Sequence, residues 1–244
     1  MRSVRCSLLL FLYFCSRRNS SIMRKITTVA AMVVLAMLLL SCAKTERSYY
    51  PDGHVQSIIQ YRFGKEHGKT QYYYDTPNTL EIEVQMRRGK RNGELFRYFE
   101  NGALDAHAFY VNDSLDGVET LYTANGEKTQ ETTYSHGHRD GPFKAYHLNG
   151  DLNIEGNYKN DLYEGKWSYY DERGVLVGEA DFKDGTGEMV SYDARGMKAL
   201  LTRYVRNEKD GKEEYYDQNG RVIREITYKQ GRIVSQWEDT TKTR

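Results

Sequence analysis

The sequence predicts an all-β fold, an elongated single-layer antiparallel β-meander of about eight β-hairpin repeats of 24 residues, preceded by an N-terminal signal helix. Three observations predict it: a tyrosine-to-glycine motif that recurs every 24 residues, Asn-Gly and Asp-Gly pairs at turn positions, and stretches in which polar and apolar residues alternate. Alternation with a period of two indicates strands with one packed face and one solvated face.

The N-terminal segment, residues 1–41, has the pattern of an export signal. A basic start at residues 23–25 precedes the apolar residues 26–40. This run is shorter than the roughly 20 residues that span a bilayer and fits the apolar part of a secretory signal. Residues 1–22 carry an apolar stretch of their own, so we expect translation to start at Met23.

The signal ends in Leu-Leu-Ser-Cys at residues 39–42. This ending resembles the lipobox of bacterial lipoprotein signals, and the resemblance implies cleavage before Cys42 and lipidation of its thiol. Two or more acyl chains would hold the protein stably on a membrane of the bacterial cell envelope. The alternatives are an uncleaved N-terminal anchor and a signal that is cut elsewhere.

Charge and cysteine usage narrow the function classes. The chain carries a formal charge of +1, but six of its 35 basic residues and none of its acidic residues lie before Cys42, which leaves 29 basic and 34 acidic residues and a net charge of −5 from Cys42 onward. An acidic body argues against a nucleic-acid partner, which rewards clustered Lys and Arg. The other cysteines, Cys6 and Cys15, precede Cys42, so we expect neither disulfides nor thiolate chemistry in the body.

The repeats define the domain boundaries. We expect a short linker at 42–48, a repeat domain at 49–238 and a C-terminal tail at 239–244. A Tyr followed four residues later by a Gly marks the repeats. The pairs are Tyr49/Gly53, Tyr98/Gly102, Tyr122/Gly126, Tyr146/Gly150, Tyr170/Gly174, Tyr192/Gly196 and Tyr216/Gly220.

Each repeat predicts two strands. Asn-Gly and Asp-Gly pairs tolerate the positive φ of tight hairpin turns. The eighth residue after the marker glycine is aromatic in seven copies, and a second glycine recurs with the same period. The second copy, with the turn 75–79, and the sixth copy, two residues short, depart from the pattern. The eighth residues are Tyr61, Tyr110, Tyr134, Tyr158, Phe182, Tyr204 and Tyr228.

The stretch 165–185, GKWSYYDERGVLVGEADFKDG, resembles the variant MORN repeats of bacterial proteins, which include the YwqK-type antitoxins. The resemblance extends over nearly all of 49–238. It implies an elongated, single-layered, twisted antiparallel sheet, and it leaves the activity open because a fold does not fix a function.

Few residues are candidates for chemistry. His136 and His138, with His147 nearby, form the best metal candidate, but without a third well-spaced ligand a polar turn around Gly137 is the better explanation. The stretch 112–119 lacks the acidic residue that ends a calcium loop, and no nucleophile-base set or phosphate loop stands out. We therefore expect no enzyme activity, no cofactor and no metal.

The best candidate binding surface is a row of aromatic side chains. Tyr72, Trp167, Tyr169 and Tyr215 are placed similarly, in the strands that precede the turns of their repeats, and exposed rings among polar neighbours suit an extended peptide or a glycan. The alternative is that these rings stiffen a thin sheet.

The sequence thus predicts a lipid-anchored, non-catalytic protein-interaction scaffold at the bacterial cell envelope. Its partners would be the membrane, through the lipid anchor, and an unknown envelope protein or glycan. The alternatives are an antitoxin or immunity protein of a toxin–antitoxin system and a cell-wall glycan-binding protein.

Overall fold

The computed structural model describes Val29 and residues 43–239, and all the strands that it describes lie in residues 43–238. The predicted signal helix, Cys42 and residues 240–244 lie outside the described residues. The eighteen strands are β1 Ala43–Tyr49, β2 Val55–Arg62, β3 Lys65–Tyr73, β4 Leu80–Arg87, β5 Lys90–Tyr98, β6 Leu104–Val111, β7 Ser114–Leu115, β8 Gly117–Tyr122, β9 Lys128–Ser135, β10 His138–Tyr146, β11 Leu152–Lys159, β12 Leu162–Tyr170, β13 Leu176–Lys183, β14 Thr186–Tyr192, β15 Lys198–Val205, β16 Glu208–Tyr216, β17 Val222–Lys229 and β18 Arg232–Glu238.

The strands form one open antiparallel sheet in which each strand pairs with its neighbours in the chain. Asp116 separates the short β7 from β8, and both pair with β6, so together they make one arm. The strands β2 to β18 therefore supply the sixteen arms of the eight predicted copies. The all-β hairpin meander predicted from the sequence is confirmed.

A seventeenth arm, β1, precedes the first copy. It pairs with β2, and the hydroxyl of Ser48 lies 2.8 Å from that of Ser57. Most of the segment expected to be a linker, 42–48, therefore continues the sheet. This strand lacks the preceding marker glycine and the aromatic position, because it corresponds only to the second half of a repeat.

Turns of two kinds alternate along the chain and define two edges of the sheet. On one edge, the tip edge, eight two-residue turns have positive φ at both residues, the geometry of tight hairpins with the right-handed strand twist. On the other, the loop edge, most connections are five-residue loops closed by backbone hydrogen bonds, as in Phe99 N–H to the Ala103 carbonyl at 2.9 Å. The tip turns are residues 63–64, 88–89, 112–113, 136–137, 160–161, 184–185, 206–207 and 230–231.

One face of the sheet is packed. Nearly all the buried side chains lie on the face that also carries the repeated aromatic residues. Each of these aromatics from the third copy onward lies opposite the second repeated glycine of the preceding copy, as Tyr158 does opposite Gly141 and Phe182 opposite Gly165. The glycine leaves room for the ring, so its recurrence has a packing reason. The largest cluster joins Tyr158, Trp167, Ala180 and Phe182.

Candidate functional site

The predicted aromatic row lies on the packed face. Trp167 is 3% exposed, and its indole N–H donates to the Asn157 carbonyl at 3.2 Å. Tyr169 packs against the same cluster, and burial raises the pKa of its phenol. The indole of Trp167 is therefore a core group that a partner cannot contact. This position agrees with the alternative that the aromatic rings stiffen the sheet.

Tyr72 and Tyr215 lie on the same face and are partly buried. The Tyr215 hydroxyl donates to the Glu213 carboxylate at 2.9 Å, and burial raises the pKa of both phenols. The next tyrosine of a doublet points to the opposite face, where the hydroxyl of Tyr170 donates to Glu155. The structure thus spreads the predicted row over distant repeats, with one member buried and three partly covered.

Trp167 fits because the strand opposite it offers no side chain at the contact. A methyl group on Gly156 would lie 2.1 Å from the indole carbon Cδ2. The ring centroid of Trp167 lies 5.1 Å from that of Tyr158 and 4.7 Å from that of Tyr163, both in edge-to-face geometry. Such pairs add to the stability from burial. The sequence signal was Gly156 itself, at a position where most copies have a side chain.

The three histidines of the metal candidate do not converge. His136 contacts the Ser135 hydroxyl at 3.0 Å, His138 contacts the Asp161 carboxylate at 2.7 Å, and His147 contacts the Tyr170 carbonyl at 2.8 Å. His138 and His147 lie near opposite ends of β10. Among residues 43–239 no group of three or more His, Cys, Asp or Glu side chains could hold a metal ion.

The tip edge is a column of hydrogen bonds between successive repeats. The backbone N–H of the second residue of each turn after the first donates to a carbonyl near the preceding turn, as Gly89 does to Glu66 at 2.8 Å. Where that second residue is an aspartate, its carboxylate also accepts a hydrogen bond from the backbone N–H of the residue whose carbonyl accepts from the aspartate. Asp161 accepts from the backbone N–H and the guanidinium of Arg139 at 2.9 and 3.1 Å. These bonds, with one from His138, lower the pKa of Asp161 to about 2.

Asn207 supplies the hydrogen bonds of this column at the sixth copy, which is two residues short. Strand β14 has seven residues instead of nine, and the turn before it ends in Gly185, which has no side chain to offer. The Asn207 amide reaches past that turn, accepting from the Tyr163 N–H at 2.9 Å and donating to the Asp161 carbonyl at 2.8 Å. A side chain on Gly185 would clash with Asn207, so the glycine and the asparagine fit each other.

Exposed cations gather at the first two tips. The residues that form and flank these turns are Arg62, Phe63 and Lys65 at one tip and Arg88 and Lys90 at the next, and all are exposed. The Arg62 guanidinium lies 5.6 Å from the centroid of the Phe63 ring, which is itself 59% exposed. Adjacent tips are about 10 Å apart, two strand spacings. Sequence reasoning missed this patch because it summed charge over the body; comparing the turns with one another would have found it.

The start of β1 lies at the same edge. Because β1 is antiparallel to β2, with Ser48 beside Ser57, the residues at the beginning of β1 lie beside the end of β2. Burial raises the pKa of the Tyr61 phenol in β2, and the ammonium of Lys44 in β1 acts on that pKa in the opposite direction. The exposed cations, which we call the cationic tips (Arg62, Lys65, Arg87, Arg88 and Lys90), are therefore next to the point where the chain enters the sheet.

The loop edge holds a shallow polar cleft of about 350 Å³ between the last two loops. Asp193 and Arg195 form one wall, and the ammonium of Lys198 lies 4.2 Å from the centroid of the Tyr216 ring. In earlier copies a ring bridges successive loops, as the Tyr74 hydroxyl does by donating to the Tyr98 carbonyl at 2.7 Å. At Asp193 the shorter side chain binds its own loop instead, accepting from the Arg195 and Met197 N–H groups.

Comparison with protein families finds the MORN repeat variant in five segments of the chain, residues 44–62, 91–112, 139–160, 163–184 and 209–230. Residues 44–230 belong to the MORN repeat variant family. The comparison with curated proteins found no match.

Four of the five matched MORN segments run from one tip turn to the next, and the first, 44–62, runs from the start of β1 to the first tip turn. The family unit is therefore centred on a loop of the loop edge. The unmatched stretches contain the irregularities of the sheet: the aberrant turn at 75–79, the break at Asp116 and the shortened strand β14. The segments that do not match the family are thus the ones in which the sheet departs from its regular repeat.

Two solved structures align with the MORN sheet at 12% identity over 81% of this chain. One is the crystal structure of TcdB2-TccC3-Cdc42, with a TM-score of 0.22, and the other is the Tc holotoxin pore of Photorhabdus luminescens, with a TM-score of 0.21. The aligned region spans 15% of each of those chains. Within the part of the chain that the structure describes, no helix has the length and hydropathy to cross a membrane.

Proposed function

We propose that this protein is a lipid-anchored MORN-repeat lipoprotein that acts as a non-catalytic protein-interaction scaffold at the bacterial cell envelope. The anchor is the acylated thiol of Cys42, and the signal helix before it is removed. The sheet then stands on the membrane with its tip edge down.

The observation that supports this arrangement is the position of the cationic tips. Chain entry through β1 and five exposed cations share one end of the tip edge. Basic side chains near an anionic leaflet contribute about 1 kcal/mol each. The exposed Phe63 ring at the same tip suits the interface between headgroups and acyl chains. Lipid chains and a basic patch together are the two signals that make anchoring stable.

The scaffold role is supported by the hydrogen bonds of the polar turn residues, which join one repeat to the next. The turn aspartates and Asn207 hydrogen-bond to neighbouring turns, so these groups serve the continuity of the sheet. Repeats that contact mainly their neighbours build an extended surface. Such a surface, held at the membrane by one end of one edge, presents its remaining faces to partners.

The decisive experiment expresses the full chain in bacteria with radiolabelled fatty acid, as wild type and as Cys42→Ala. We expect label in the wild type and its loss in the variant, together with loss of tight membrane partitioning. If the wild type takes up no label, the lipoprotein proposal fails and the antitoxin or immunity alternative comes first. Binding of the wild type to isolated wall polysaccharide would favour the glycan-binding alternative.

A second arm tests the orientation. Changing Arg62, Lys65, Arg88 and Lys90 to Gln should make membrane-bound protein easier to release with salt once Cys42 is Ala, because the electrostatic attraction is lost. The matched control changes four exposed cations on the loop edge, Arg173, Arg195, Lys198 and Arg221, to Gln and should behave like its parent. Equal salt release in all variants would contradict the tip-down orientation.

A further inference from the structure

The last strand, β18, is an exposed apolar edge. All seven residues of β18 are exposed, and Ile233, Val234 and Trp237 keep 57%, 61% and 54% of their surface. The opposite edge strand, β1, has the sequence AKTERSY and is charged and polar. Exposed apolar edge strands are pairing templates, and natural proteins blunt them with charge. Charged side chains are thus distributed along β1, whereas β18 has charges only at its two ends and exposes Ile233, Val234 and Trp237 between them.

Trp237 lies opposite Glu225, on the face opposite the packed one, and its copy lacks the second repeated glycine. Two residues after the second repeated glycine, other copies have side chains on the packed face, as with Trp167 after Gly165. In the last copy Ser235 replaces that glycine. Its register also differs, because Ile226 lies opposite Gln236, whereas the preceding copy would place it opposite Trp237. A one-residue change of register sends a side chain to the other face.

The backbone of β18 is available on its outer side. Its registered pairing is with β17 on the inner side, and within residues 43–239 the sheet ends at this strand. A strand edge presents unpaired N–H and C=O groups. Edge addition of a partner strand derives affinity from these groups and specificity from side chains.

We propose that β18 is the docking edge for an extended apolar strand of a partner protein, which adds to the sheet antiparallel. Every registered strand pair of the sheet is antiparallel, and the ends of β18 carry opposite charges at Arg232 and Glu238. The partner strand that fits has a carboxylate facing Arg232, a cation facing Glu238, and β-branched residues between them.

The proposed function, on which this choice of occupant rests, disfavours a second copy of the chain. The sheet has an odd number of arms, so β1 and β18 run in the same direction, and stacking β18 on β1 of an equally oriented copy would be parallel. Antiparallel pairing of two β18 strands would place the two sets of cationic tips on opposite sides. Only a foreign strand keeps both the antiparallel rule and one common membrane.

The test uses the full chain in neutral detergent and two peptides of identical composition. Lys-Val-Thr-Ile-Thr-Val-Glu places its charges opposite those of β18 when antiparallel, and Glu-Val-Thr-Ile-Thr-Val-Lys places like charges together. Tryptophan emission reports binding, because Trp237 is exposed and Trp167 is buried. We expect a blue shift, with the first peptide binding about tenfold more tightly, since cross-strand charge pairs contribute up to about 1 kcal/mol each.

Two variants make the result decisive. Trp237→Phe should abolish the shift, and Val234→Lys, at an exposed position that folding tolerates, should weaken binding about tenfold. Cys42→Ala should bind like the wild type, so failure of lipidation and failure of docking are separate outcomes. Equal binding of both peptides, no binding, or a dimer that Val234→Lys dissolves would overturn the proposal.

Discussion

Replacing Asn207 tests how the sheet bridges its shortened copy. We expect Asn207→Gly to destabilise the contact that the seventh copy makes with the fifth, past the shortened sixth copy, by about 2 kcal/mol. The variant loses two hydrogen bonds, to the Tyr163 N–H at 2.9 Å and to the Asp161 carbonyl at 2.8 Å. Each contributes about 1 kcal/mol net, and a covered N–H left without a partner costs more. Glycine keeps the backbone relaxed at φ 71°, so the loss is that of the side chain.

The assay is hydrogen exchange followed by mass spectrometry on the segment that contains Tyr163. A loss of 2 kcal/mol corresponds to about thirtyfold faster exchange of that amide. The matched control is Arg206→Gly in the same turn, whose φ is 53° and whose side chain is exposed. It should exchange like the wild type. If both variants leave the exchange of Tyr163 unchanged, the amide bridge does not hold this contact.

Three further changes have expected outcomes. Gly156→Ala should lower the free energy of unfolding by about 1–3 kcal/mol in urea titration, because its methyl group would overlap the Trp167 indole. Asp161→Asn should cost stability near neutral pH, and the difference from wild type should shrink as the pH falls from 3.8 to about 2, because the lowered pKa of Asp161 stabilises only while the carboxylate is charged. Ser235→Gly should restore the register of the other copies, turn Trp237 onto the packed face and shift its emission to the blue.

Each change has an internal control. Gly178→Ala places its methyl group no closer than 3.2 Å to any neighbour, so it should cost less than Gly156→Ala; equal costs would contradict the packing argument. Asp184 is the first residue of a tip turn that ends in glycine, so Asp184→Asn should cost less stability than Asp161→Asn. An equal loss of stability would mean that removing any carboxylate charge from a tip turn has this effect. Ser191→Gly should leave the tryptophan emission unchanged, and a red shift in Ser235→Gly would refute the register argument.

The period of the sheet could be read from the sequence because each signal has a local cause. Alternation specifies a face. Most Asn-Gly pairs mark connections, but those connections are the five-residue loops, as at Asn101-Gly102, where only the glycine has positive φ. The prediction that Asn-Gly and Asp-Gly pairs form the tight turns was wrong for most of them: every tip turn except 184–185 has other residues, and Asp140-Gly141 lies inside β10. The sequence showed that the second glycine recurs, but it did not show why. The strand register gives the reason, because Gly141 lies opposite Tyr158 and leaves room for its ring. The fold could therefore be predicted from local sequence signals that recur in each of the eight copies.

The parts that sequence reasoning missed depend on contacts between repeats. The exposed surface assigned to Trp167 overlooked Gly156, eleven residues earlier, which opens the space that the indole fills. The role of Asn207 involves residues 44 and 46 positions away. Strand β1 was missed because half a repeat lacks the markers that define a whole one. These are properties of the pairing between copies, which a period alone does not specify.

The two ends of the sheet differ in a way that the repeat does not require. A perfect array would end in two equivalent edges, yet β1 is charged and adjoins the cationic tips, whereas β18 exposes an indole and two aliphatic side chains. The second difference coincides with Ser235, where the other copies have glycine, and the Ser235→Gly variant tests whether this residue sets the face on which Trp237 lies. The interior copies thus continue one pattern of pairing, and the departures from the repeat at its two ends give the sheet a charged first strand and a last strand with exposed apolar side chains, the asymmetry on which the proposed docking edge rests.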